Sequence, residues 1–173
     1  MILYIEQHGS LFTKDEYFVC DKEGNKKYSA VGGNFLMGIL CPWKYMLRIY
    51  NADGTQVAYV KRDIWNFPPK LDIFIGDNRV GSVSRGLTLF VPRYNVNYKD
   101  WRVEGEWTEA GYMIKSRSGR EIASISTQTK NLRREYAVEV LDYSEILNAL
   151  IFAFALEAEM SSMSIFGLLP LFI

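Results

Sequence analysis

The chain has 173 residues, enough for one domain with a sizeable core. Lysine plus arginine and aspartate plus glutamate number 20 each, so the net charge is zero and a bulk electrostatic partner such as nucleic acid is not indicated. Two cysteines, Cys20 and Cys41, make no disulfide framework, and the start MILYIEQ has no basic segment leading into a long apolar one; both predict a cytoplasmic chain.

Down to about residue 141 the sequence is a succession of short strand-like runs separated by turn residues. They fall at 3–6, 17–20, 27–31, 35–40, 45–50, 57–62, 71–75, 79–84, 87–91, 93–98, 101–107, 112–116, 121–126 and 135–141. Enrichment in Tyr, Phe, Val and Ile, with breaks roughly every 8–12 residues, is the pattern of an all-β domain. About a dozen strands are predicted.

A hairpin repeats along this stretch. Residues 45–60 and 112–125 share a strand, an Asp-Gly or Ser-Gly turn, and a second strand with an apolar-Ala-x-apolar core. Residues 17–30 are a looser copy, and 77–83 repeat the turn and second strand. The turn glycine supplies positive φ, and the flanking runs pair. In the second strands Ala58 and Val60, or Ala123 and Ile125, share one face, while Tyr59 and Lys61, or Ser124 and Ser126, share the other. The small inner residues leave room for another element.

That element is predicted at Asp142–Met160, DYSEILNALIFAFALEAEM. Asp142 with Glu145 resembles a capping box, and neither Gly nor Pro interrupts the run. From Ile146 to Leu156 every residue but Asn148 is apolar, so the helix has no face for water and is expected to be wrapped on all sides. A run of about 11 residues spans roughly 16 Å, short of the ~20 residues a bilayer needs, and Glu157 and Glu159 follow it. No transmembrane span is expected. A helix about 10–12 Å across needs a cylinder wider than an eight-stranded barrel. The predicted fold is therefore mainly β: about 12 antiparallel strands in a closed or nearly closed barrel around a hydrophobic C-terminal helix.

The G-x-x-V-A-x-V hairpins, the WRVEGEW stretch at 101–107 and the apolar helix after EYAVEVLD resemble the LURP-one-related (YxjI-like) family, over about residues 1–160. That family groups with Tubby C-terminal-like and phospholipid-scramblase domains. The resemblance implies the same barrel and central helix, and points by analogy to phosphoinositide or membrane binding through exterior basic residues. No acidic calcium loop and no strongly basic cluster accompanies it. Residues 161–173 look like an apolar tail added to a single domain of residues 1–160.

Little in the sequence suggests catalysis. His8 is the one histidine, in a predicted turn, which leaves no convincing Ser-His-Asp or Cys-His pair and, with the two distant cysteines, no metal pattern. Glu104 and Glu106 share a strand face as a carboxylate pair would, and a charged outer face between Trp101 and Trp107 accounts for them as well. Gly32-Gly33 opens no nucleotide loop. A non-enzyme with no cofactor is expected.

Two kinds of partner remain. Lys61 and Arg62 end a predicted strand just before Trp65, Phe67 and Pro68-Pro69, and Arg85, Arg93 and Arg102 lie on neighbouring hairpins. Two or three such charges converging beside aromatics would suit an anionic headgroup. The expected lipid site is Lys61, Arg62, Arg85 and Arg93 on the barrel exterior, on a protein peripheral to the membrane. The alternative is a protein-interaction scaffold or homo-oligomer without lipid affinity, using the apolar residues 163–173, whose exposure would signal an interface.

Overall fold

A computed structural model describes residues 1–8, 14–34, 45–63, 65, 70–86, 94–105, 111–130 and 133–166. Twelve strands form one antiparallel sheet: β1 (Ile2–His8), β2 (Lys14–Cys20), β3 (Lys26–Asn34), β4 (Met46–Asn51), β5 (Gln56–Asp63), β6 (Lys70–Ile75), β7 (Asn78–Arg85), β8 (Tyr94–Tyr98), β9 (Trp101–Gly105), β10 (Tyr112–Ser116), β11 (Glu121–Lys130) and β12 (Arg133–Val140). Every strand but the pair β8 and β9 is laddered to its neighbour in sequence, and β12 returns to pair with β1. There the Met1 ammonium donates to the Val140 carbonyl at 2.8 Å, and the Val140 amide donates to the Met1 carbonyl at 2.7 Å. Only β8 and β9, at the two ends of the order, lack a shared ladder, so the barrel is nearly closed. The predicted runs at 35–40 and 87–91 lie outside the described residues.

The repeat seen in sequence is one hairpin built three times. Asp21, Asn51 and Ser116 each receive the amide of a glycine three residues on, Gly24, Gly54 and Gly119, at 3.0–3.1 Å. Those glycines have φ of 82°, 80° and 91°, the left-handed region that closes a turn with a bulge. The ladder slips by one residue beside each turn, at Val19/Cys20, Ile49/Tyr50 and Ile114/Lys115. Side chains complete the turns: Asp21 Oδ1 accepts from Glu23 and Asn25, Asn51 Oδ1 from Asp53 and Thr55, and Ser116 Oγ from Arg120.

These short turns all sit at one end of the barrel, together with the entry of the helix. Connections at the other end run through 9–13, 35–45, 64–69, 86–93, 106–111 and 131–132. A single 3₁₀ turn, Tyr143–Glu145, leads into helix α1, Ile146–Phe166. Asp142 caps that turn, accepting from the Ser144 amide at 3.1 Å and hydroxyl at 2.7 Å. Glu145 does not complete a capping box; it pairs with Lys99 and receives the Asn148 amide at 2.8 Å. The helix also outruns the predicted end at Met160 by six residues, through the stretch read as a tail, since residues 161–166 hold neither Gly nor Pro to break it.

Ala149 to Glu159 is buried throughout, as a helix wrapped on all sides requires. Inward-facing Leu3, Val19, Ala30, Ile49, Ala58, Leu71, Ile73, Val83, Ile114, Ala123 and Val138 surround Leu150, Ile151, Phe152 and Phe154. Burying each of those four helix side chains stabilises the fold by about 1.5–3 kcal/mol. Not all inward residues are small: Tyr98 and Trp101 pack on Phe152, and Tyr17 packs on Phe154. Room for Tyr98 comes from Gly81, where a Cβ would lie 2.8 Å from its ring. Asn148, the one polar residue of the apolar run, accepts the Tyr98 hydroxyl proton at 2.6 Å and so is satisfied. Among the described residues no helix is long and apolar enough to cross a membrane.

Candidate functional site

Strand β5 divides its two terminal cations between opposite faces. Ala58, Val60 and Arg62 point inward, and Val57, Tyr59 and Lys61 point outward. Arg62, expected on the exterior, is 8 % exposed inside the barrel, which corrects its place in the lipid site. Its guanidinium donates to the Ala158 carbonyl of α1 at 3.3 Å, lies 3.6 Å from Glu159 Oε2, and sits 5.6 Å from the centre of the Tyr45 ring.

Around this contact lies a buried polar cluster at the end of the barrel away from the short turns. Glu157 and Glu159, which in sequence close the apolar run with charge, are buried too. Burial, and behind it the charges of Glu157 and Asp15 among others, pushes the Tyr17 and Tyr45 hydroxyls well above the usual phenol range, with Arg62 opposing the effect at Tyr45. Asp15 is raised by burial, partly countered by Gln7, whose amide donates to it at 3.5 Å and to the Tyr17 hydroxyl at 3.4 Å. Both phenols stay protonated at neutral pH.

Among the described residues, space inside the barrel is small. A cavity of about 10 Å³ is lined by Ile5, Tyr112, Tyr136, Phe154 and Glu157 among others, room for about one water rather than an organic ligand. Among the described residues no cluster of His, Cys, Asp or Glu could hold a metal ion. His8 ends β1, stacked edge-on against Phe18 at 5.1 Å with Glu6 at 3.5 Å. Cys20 is a half-buried free thiol, and Cys41 lies outside the described residues.

On the outer wall, several of the described cations are already paired. Arg79 meets Asp72 at 2.7 Å, Lys70 meets Asp63 at 3.7 Å, and Glu104 sits between Arg102 and Lys115 at 3.0 Å from each. The Lys115 hydrogen bond holds the Glu104 carboxyl below its usual range, as expected of a surface ion pair and not of a proton-transfer group. Glu106 lies outside the described residues. Tyr59 and Phe74 stack at 4.5 Å between strands, with Arg48 opposite Tyr59. Lys61 is exposed, opposite Met46 and Asp72. Arg85 ends β7 on the rung of Tyr94, and Arg93 lies outside the described residues. Of the four expected headgroup ligands, Lys61 lies on the outer surface and Arg62 inside, while the Arg85 side chain and all of Arg93 lie outside the described residues.

Trp65 stands beside it in the chain. The Asp63 carboxylate accepts the Trp65 amide at 3.0 Å, and this tight turn beyond β5 leaves the indole 92 % exposed. No other large hydrophobic residue among those described is so exposed.

A family model described as LURP-one-related matches residues 1–157. This nearly closed 12-stranded barrel around a buried helix belongs to the LURP-one-related family. No curated protein and no solved structure matches the chain.

Proposed function

We propose that the protein is a non-enzymatic cytoplasmic module that docks peripherally on anionic phospholipid with the long-connection end of its barrel. Trp65 carries this reading: an indole held in water four residues beyond the outward Lys61 is the pairing that membrane interfaces favour, aromatic ring at headgroup depth and cation beside phosphate. Among the described residues the interior offers a water-sized cavity and no chamber for a headgroup, which supports an exterior site. Lys61 is the first headgroup contact, with Arg85 at the end of β7 and Arg93 in sequence beyond it as the further cations; Arg62 takes no part.

Co-sedimentation of the full chain with vesicles of phosphatidylcholine alone, or containing a phosphoinositide, at low and high salt tests this. Binding should require the anionic lipid, weaken with salt, and fall at least severalfold in both Trp65→Ala and Lys61→Glu. Equal partition onto neutral and anionic vesicles, or none onto either, would refute it and favour a protein-binding scaffold.

A further inference from the structure

The twelve-stranded wall has one seam. β8 and β9 are joined by only Lys99 and Asp100, yet no ladder links them. Inside the barrel, ring contacts bridge the gap instead: Tyr94 meets Tyr112 edge-on at 5.8 Å, and Tyr98 meets Trp101 at 5.3 Å. Among the described residues this is the one place where a strand could be added without breaking an existing ladder. Such an edge is a template for another chain.

The two edges of the seam differ. β9 carries Arg102 and Glu104, charges of the kind that keep an edge from pairing. β8 lacks such charges: Tyr94-Asn95-Val96-Asn97-Tyr98 is short but contains no charge and no proline, and it pairs with β7 without a bulge. That segment is also a palindrome. Two antiparallel copies centred on Val96 would place Asn95 opposite Asn97 of the second copy and Tyr94 opposite its Tyr98. The exposed Asn95 and Asn97 would then face each other across the outer surface, and a carboxamide offers both donors and an acceptor to another carboxamide. A self-complementary edge is what a two-fold axis requires.

We propose that β8 is a homodimerisation edge, pairing antiparallel with β8 of a second copy through Tyr94–Tyr98. Opening the seam costs β9 its ring contacts but no backbone hydrogen bond to β8. The contact is short, so the dimer is weak and dependent on concentration.

Sedimentation velocity over a wide concentration range tests it with the full chain. The wild type should pass from monomer to dimer as concentration rises. Asn95→Lys with Asn97→Lys, and separately Asn95→Glu with Asn97→Glu, set like charges opposite each other at exposed positions. Each pair should weaken association at least tenfold while leaving circular dichroism and melting unchanged. Mixing the lysine and glutamate variants should restore a dimer, one copy of each. A wild type that stays monomeric at the highest concentration, a lysine variant that associates like the wild type, or a mixture that fails to associate would overturn the proposal.

Discussion

Arg62 and Glu159, 97 residues apart in sequence, meet at 3.6 Å inside the barrel, each about 8 % exposed. Together with the 3.3 Å bond from Arg62 to the Ala158 carbonyl, this joins the end of β5 to the third quarter of the helix. Removing one member of a buried pair strands the other charge, at a typical cost of ~3–5 kcal/mol, whereas removing both together costs far less. Arg62→Ala should therefore destabilise the protein by about that amount, and Arg62→Met with Glu159→Gln by clearly less. Urea denaturation of the single and double variants measures the difference. Equal losses would mean that the pair does not couple the strand to the helix.

The helix itself makes a sharper demand. Leu150 and Phe154 have essentially no exposed surface, so truncating either to alanine opens a cavity and should cost ~2–5 kcal/mol. Phe154→Asp puts a carboxylate against Tyr17 and should prevent folding. A folded, soluble Phe154→Asp protein, judged by circular dichroism and gel filtration, would rule out a wrapped central helix.

Much of this architecture is legible in the sequence, because its signals are local. Strand spacing, the glycine turns and a helix without a polar face each follow from residues close in the chain. The buried polar cluster is less so. Alternation along β5 already sets Arg62 on the face of Ala58 and Val60, but a cation at a strand end looks like surface until its partner is known, and that partner lies on the helix. Glu157 and Glu159 mislead for the same reason: charge after an apolar run suggests solvent, and only the length of the surrounding barrel keeps them inside. Ser161, Ser162 and Ser164 look like a helix end, yet serine lowers helix propensity only modestly, and the helix continues to Phe166. Trp65 was visible as a residue but not as an exposed one, since its exposure depends on the turn at Asp63.

Two glycines with positive φ should respond very differently to alanine. Gly54, at φ 80°, has open space where a Cβ would go, so only the backbone preference is lost, about 1–2 kcal/mol. Gly111, at φ 72°, would put its Cβ 2.0 Å from the Ile125 carbonyl oxygen, a backbone atom that cannot swing away. Gly111→Ala should therefore lower the melting temperature considerably more than Gly54→Ala. Equal shifts would show that β10 and β11 do not approach as closely as described.

Acid should weaken the fold partly through its hairpin turns. Desolvation is the largest single influence on Asp21 and raises its pKa, but the hydrogen bonds from Asn25 and Lys27 together outweigh it and hold the carboxyl well below the usual range. A folded pKa below the unfolded value of about 3.9 means that the unfolded state binds the proton more readily. The stabilisation is therefore present above that value and lost as pH falls through and below it. Asn51 fills the equivalent place in the second hairpin as a neutral amide, accepting the same two backbone amides through its side-chain oxygen. Asp21→Asn should accordingly keep the two backbone bonds of the turn but lose the Lys27 ion pair, lower the melting temperature at pH 7 modestly, and make its decline between about pH 5 and pH 2 shallower than in the wild type, so that the two proteins converge in acid. Thermal melts across that range decide the matter, and parallel declines in the two proteins would remove Asp21 from the account of acid sensitivity.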